Sequence, residues 1–201
     1  MGESSRFNES SFRRWIMELK HTSFDLTNLP KEFLVNIENK QVGSLVPFSF
    51  NDLVEDDKIC MLVKWRNDNY KSFISNDKVN FYSTINWLDK QVLKNINKEL
   101  FWVLNEHNEY IGHVGIVYDQ EFFRVEFDNI LRGRVSAKGL IGLSMKAIEN
   151  SIHRKFNADQ IFLRVLETNT KAIRFYKLNG FKELTLVEGT SSSKVLIKLI
   201  L

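Results

Sequence analysis

Apolar and polar positions along this chain fall into two rhythms, and the clearest passage lies near its end. Residues 161–166, IFLRVL, form a short apolar run with Arg164 as its only charge, which predicts a strand buried in a sheet. Thr168 or Asn169 then offers a side-chain oxygen to the free amides of a helix start. From Thr170 to Leu178 the residues Ala172, Ile173 and Tyr176 share one helical face, and Asn179-Gly180 supplies a left-handed stop before a strand opens at Phe181. A longer helix is predicted over 138–156, where Ile141, Met145, Ile148, Ile152 and Phe156 recur at the spacing of a buried face.

Upstream, the same reading predicts a strand over 42–48, helices over 52–66 and 84–95, and strands over 99–104, 110–118 and 121–131. Asn105 to Asn108 makes a tight link, and strands over 181–187 and 194–200, separated by a short Ser191 to Ser193 turn, close the chain. Residues 1–42 read differently: a helix over 10–20 with Phe12, Trp15, Ile16 and Leu19 in one stripe, then a strand over 32–37 that forms a hairpin with 42–48 around Asn39-Lys40. No chemistry is evident in this extension, so packing or dimerisation is its expected role. The simplest organisation is an N-terminal extension, 1–42, followed by one domain, 43–201.

Composition narrows the partners. At 201 residues and 43% hydrophobic, the chain can build one substantial core but is short for two. Its 28 Lys and Arg are scattered among 25 Asp and Glu, a balance compatible with an anionic small ligand and lacking the basic run of a nucleic-acid binder. Cys60 is the only cysteine, which excludes an intrachain disulfide and a thiolate zinc cluster; its place in the run Ile59 to Val63 predicts burial as a small hydrophobe. No metal is expected. No run approaches the roughly 18 apolar residues of a membrane span, and the N-terminus has no apolar signal core, so a cytoplasmic protein with no membrane partner is expected.

The order strand, Asn169, Ala172-Ile173, Tyr176, Gly180-Phe181 resembles the last motif of the GNAT family of N-acetyltransferases, and the element order from 43 to 201 matches that family's core. The resemblance implies an α/β (α+β) fold with a mixed central sheet of about seven strands and helices on both faces. It also implies acetyl-CoA as cosubstrate. Asn169 and Ala172 would face the cofactor arm, and Tyr176 would protonate the departing thiolate. Ile130 and Leu131 would offer backbone groups to the pantetheine, which in the family bridges a splay between the fourth and fifth core strands.

The loop 132–139, RGRVSAKG, precedes a helix and carries Arg132, Arg134 and Lys138. Free amides at such a helix start bind phosphates readily. On the resemblance, the amides of Ser136, Ala137, Lys138, Gly139 and Leu140 would hold the pyrophosphate. The family loop often reads Gln or Arg, two residues, Gly, one residue, then Gly or Ala. Aligned on Gly139, this chain has Ser136 and Ile141 at the outer positions, which leaves the register of the loop open.

Acetyl transfer to an amine requires the amine to lose a proton. Strand alternation places Glu126 and Asp128 on one face of 124–131 and Phe127 and Asn129 on the other. A carboxylate often stands in the family where Glu126 stands, which makes Glu126 the first candidate base and His113 the second. Glu126 can instead pair with Arg124 or Arg132, and His113 can be a satisfied core imidazole.

The acceptor is read from Trp65-Arg66-Asn67 with Phe101-Trp102 and Tyr110 to His113, a combination that resembles GNAT members acting on nucleotide-linked amino sugars of bacterial surface glycans. Trp65, Arg66 and Asn67 could stack on a base and hold a phosphate, or Trp65 could simply anchor its helix. The expectation is an N-acetyltransferase for a small-molecule amine, a sugar nucleotide first, with a homodimer compatible. The alternatives are a protein N-terminus, another small amine, or a non-catalytic acyl-CoA binding module.

Overall fold

The computed structural model describes residues 7–22, 26, 29–75, 77–122, 124–184 and 193–200. Its strands are β1 (Leu34–Ile37), β2 (Lys40–Pro47), β3 (Lys98–Asn105), β4 (Tyr110–Asp119), β5 (Arg124–Arg132), β6 (Gln160–Leu166), β7 (Lys182–Leu184) and β8 (Ser193–Leu199). Its helices are α1 (Glu9–His21), α2 (Asp56–Asp68), α3 (Phe81–Trp87), α4 (Leu140–Phe156) and α5 (Thr170–Leu178). A single mixed sheet of eight strands runs β1-β2-β3-β4-β5-β6-β8-β7. Neighbours are antiparallel except β5 and β6, which the α4 crossover makes parallel.

β3 shows how the sheet divides the core. Leu100, Trp102 and Leu104 face α2 and the segment after α3, whereas Phe101 and Val103 face α1 and α4. Both faces are covered, so this strand reads as one continuous apolar run. Within α1, Phe12, Trp15, Ile16 and Leu19 join the α4 face of the core. Lys20 at its end is buried and donates to the Val92 carbonyl at 2.5 Å and to that of Asn95.

The strand expected at 32–37 begins instead with a single helical turn, Lys31–Phe33, and β1 then adds an eighth strand to the sheet edge. The helix expected from Asp52 splits into a short 3-10 turn, Phe50–Val54, and α2. The cause is the Asp52 carboxylate, which turns inward and accepts from the Ser49 amide (2.8 Å), Lys58 (2.6 Å) and Trp102 Nε1 (3.3 Å). α3 starts earlier than expected because Asn80 caps it, accepting from Ser83 N at 2.9 Å, and its second half continues as a π-helix, Leu88–Leu93. Cys60 is exposed, contrary to the expected burial. α2 buries Ile59, Leu62 and Trp65, and the helical turn carries the next residue after Ile59 off that face. The expected continuation of the strand after Phe181 to Val187, and most of the Ser191 to Ser193 turn, lie outside the described residues.

Candidate active site

The centre of the sheet is interrupted by a bulge. His113 pairs with Leu131 and Gly115 with Asp128, so β5 carries one residue more than β4 across this interval. Asn129 takes it up with φ 46°, a left-handed conformation that asparagine tolerates better than most side chains. β5 and β6 pair only through Glu126 with Phe162 and Phe127 with Leu163. Past that point the strands separate, and the edge of β5 from Asp128 onward faces a cleft of about 540 Å³. The cleft is walled by β5, β6, the start of α5 and the segment that joins α2 to α3.

Four titratable groups from the sheet and α5 meet in this cleft: His113, Glu126, Asp128 and Tyr176. The His113 Nδ1–H donates to the Asn129 carbonyl at 2.6 Å. A carbonyl has no proton to give, so the ring carries its proton on Nδ1 and leaves Nε2 with a lone pair. Burial pulls the His113 pKa down to about 4 against the opposing pull of that hydrogen bond and of Asp128, and the ring is neutral at pH 7. Tyr176 is buried between Phe175 and Phe181, at centroid distances of 5.4 and 6.1 Å. Burial first, and the Asp128 charge second, push its phenol well above the usual value, so it keeps its proton throughout the physiological range.

Glu126 is held in an ion-pair triad. Oε1 accepts from Arg124 Nε at 2.7 Å and Oε2 from Arg164 Nε at 3.0 Å. This pairing was open in the sequence, although the second cation is Arg164 and not Arg132. Asp128 accepts from the Asn129 amide (2.8 Å) and side chain (2.6 Å) and pairs with Lys98. Its side chain is 37% exposed against 3% for Glu126. Asp128 thus presents the more accessible carboxylate of the two. Alternation along β5 had put both on one face, and nothing local distinguished them.

Ile130 and Leu131 line the cleft on the edge of β5. Asn169, and not Thr168, caps α5, its Oδ1 accepting from Ala172 N at 3.1 Å. The Asn169 Nδ2 donates to the Ser72 carbonyl at 3.1 Å, joining α5 to the α2–α3 segment across the cleft, and Ala172 lies on the wall beside it. The basic loop sits at the end of β5, outside the cleft lining. Gly133 N and Arg134 N donate to the Ile111 carbonyl at 2.8 and 2.9 Å, which anchors the loop to β4. Ala137 (φ 58°) and Gly139 (φ 85°) are left-handed. Among the described residues, the amides of Ser136, Ala137, Lys138 and Gly139 donate no hydrogen bond, whereas the Leu140 amide is engaged by the Ala137 carbonyl at 3.2 Å. Arg134 and Lys138 are exposed and, among the described residues, pair with no carboxylate.

The acceptor candidates separate. Trp65 is buried and does not line the cleft. Its ring lies against Gly133 so closely that a Cβ there would stand 2.0 Å away. Trp65 therefore supports the basic loop from below. Asn67 brackets the Val79 backbone, donating to its carbonyl at 2.9 Å and accepting from its amide at 2.8 Å. Arg66 does line the cleft: its guanidinium stacks 3.7 Å from the Phe73 ring, Nη2 reaches Ser75, and Nη1 is buried with no partner among the described residues. Sequence reasoning missed Phe73 and Val79, because the α2–α3 segment has no periodicity to read, and Thr84 and Trp87, because helical periodicity in α3 does not tell which residues meet a cleft; together they complete this wall.

A sheet split over a cleft, with a protonated tyrosine on the helix behind it and a ring of free amides nearby, is equipped for acyl transfer. The model of the acetyltransferase (GNAT) family matches residues 59–181, and the chain belongs to this family of acetyltransferases. Its fold is shared with a spermidine N-acetyltransferase from Vibrio cholerae solved with CoA and spermine, at TM-score 0.61 and 19% identity over 79% of this chain and 95% of the other. RimL, a ribosomal L7/L12 α-N-protein acetyltransferase solved with CoA, gives 0.62 and 9% over 83% and 98%. FdhC, a nucleotide-linked sugar GNAT, gives 0.60 and 17% over 79% and 86%. No curated protein sequence matches the chain.

Proposed function

We propose that the protein transfers the acetyl group of acetyl-CoA to the primary amine of a nucleotide-linked amino sugar. The observation that carries the transfer reading is the separation of β5 from β6 past Phe127, which leaves the edge of β5 at Ile130 open to an extended thiol arm, while the Leu131 backbone faces β4. The residues present suit that cosubstrate, which supplies an activated thioester. The unengaged amides of Ser136 to Gly139 would hold the pyrophosphate, with Arg134 and Lys138 adding positive charge. Gly139, with nothing within 4 Å of its absent side chain, leaves room for close approach. Tyr176 would give its proton to the departing sulfur.

The acceptor class rests on Arg66. A buried donor without a partner costs about 1–3 kcal/mol, which a ligand oxygen would recover. Glu126 is matched by Arg124 and Arg164 and Asp128 by Lys98, whereas among the described residues Arg66 forms no ion pair and feels only the charge of Asp77. That balance suits an acceptor bearing phosphate and disfavours a polyamine. The test is release of CoA thiol with a UDP-linked 4-amino sugar, with spermidine and with an N-terminal peptide as rivals. Arg66→Gln should raise KM for the sugar nucleotide roughly 10- to 100-fold with kcat little changed. Preferential turnover of spermidine or the peptide would overturn this acceptor.

A further inference from the structure

Resting on the amine-acetylation reading, we propose that Asp128 is the carboxylate that receives the acceptor's ammonium group in the cleft and takes up its first proton. An alkylamine enters as a cation, and a cation entering a cleft needs an accessible negative partner there. The two carboxylates on the cleft wall of β5 differ in this respect. Glu126 has each oxygen engaged by a guanidinium and almost no exposed surface. Asp128 stands at the bulge, where β5 leaves β6, with its carboxylate a third exposed. Its one backbone bond, from Asn129 N to Oδ1, and its contacts with Lys98 and Asn129 Nδ2 at Oδ2 leave room at Oδ1 for one further donor.

The bulge that places Asp128 also sets its neighbours. Asn129 follows it directly and ties His113 through its carbonyl, while Tyr176 approaches from α5 on the same cleft. The charged and titratable groups around Asp128 are Lys98 on β3, His113 on β4, Glu126 on β5, Arg164 on β6, Arg66 on α2 and Tyr176 on α5. None of these but Asp128 is both anionic and accessible. The proton inventory then closes. The ammonium gives one proton to Asp128, which returns it to solvent. The neutral amine nitrogen bonds the acetyl carbon as the carbon–sulfur bond breaks. Tyr176 protonates the sulfur, and the second nitrogen proton restores Tyr176 as the amide forms.

The experiment compares wild type, Asp128→Asn and Glu126→Gln by CoA release from pH 6 to 9. The acceptors are the UDP-linked 4-amino sugar, spermidine, and hydroxylamine, a nucleophile that is uncharged at pH 7. With whichever alkylamine the wild type uses, Asp128→Asn should lower kcat/KM roughly 100-fold at pH 7, through KM and kcat together, and progressively less as the free amine comes to predominate. Hydroxylamine turnover and CoA affinity should change little. Glu126→Gln should lose activity equally at every pH and with every acceptor, as loss of the ion-pair triad requires. Asp128→Asn that matches the wild type, or that loses hydroxylamine and alkylamine turnover alike at every pH, refutes Asp128 as the receiving group. Turnover of spermidine alone would refute the sugar-nucleotide acceptor and leave the Asp128 comparison intact. A wild type inert towards all three acceptors and towards the N-terminal peptide would refute amine acetylation and this proposal with it.

Discussion

Replacing Tyr176 with phenylalanine removes one oxygen from a side chain that is only 8% exposed and leaves the aromatic volume in place. The ring contacts with Phe175 and Phe181 depend on the ring and not the hydroxyl. Among the described residues burial and the Asp128 charge act on that hydroxyl and no hydrogen bond does, so stability should change by less than about 1 kcal/mol. The rate should respond differently. A thiolate that must leave without an acid loses a contribution of roughly 10- to 1000-fold in kcat, or about 1.4–4 kcal/mol in the barrier. Because burial holds the phenol protonated beyond its usual range, the ratio of wild type to variant should stay constant from pH 6 to 9. CoA binding by calorimetry should be unchanged. The assay is steady-state CoA release at saturating acetyl-CoA, with thermal denaturation as the control for folding. A variant that turns over like the wild type removes Tyr176 from the mechanism, and one that fails to fold shows that the hydroxyl has a structural partner.

Gly133→Ala places a methyl group 2.0 Å from the Trp65 ring, and relieving that clash should cost about 1–3 kcal/mol while displacing the phosphate loop. The variant should melt lower and bind CoA at least roughly tenfold more weakly; a Gly133→Ala protein equal to the wild type in both would refute the packing argument. His113 supplies a pH dependence: unfolded, its ring takes a proton near pH 6.5, but folded it does so only near 4. Stability should therefore fall as the pH drops through that window, by about 3 kcal/mol in all, and His113→Asn should flatten this part of a urea-denaturation series. Identical acid profiles for the two proteins would contradict the buried neutral ring.

Much of the fold is legible in short-range pattern. The periodicity of residues 138–156 and 170–178 gives α4 and α5 to within two residues, and the apolar runs give β3, β4 and β6. Side chains that act within one turn are equally plain, as with the Asn169 cap and the Gly180 stop. The exceptions are local patterns overruled at a distance. Asp52 leaves the expected helix because its carboxylate is shared by the Ser49 amide, by Lys58 and, fifty residues on, by Trp102. Strand alternation put Glu126 and Asp128 on one face, but it could not tell which carboxylate is occupied.

What the sequence by itself determined is the order of elements, the family and the tyrosine helix, since each depends on residues that are neighbours along the chain. The tertiary structure decided the roles. The parallel register that sets Glu126 opposite Phe162 also brings Arg164, two residues further on, within reach of Glu126. The bulge at Asn129, which opens the cleft and presents Asp128, is a mismatch between two strands and belongs to neither sequence alone. Trp65 acts through a glycine on a distant loop, and Arg66, its neighbour on the helix, faces the cleft. Periodicity fixes which face of an element a side chain takes; only packing fixes what that face meets.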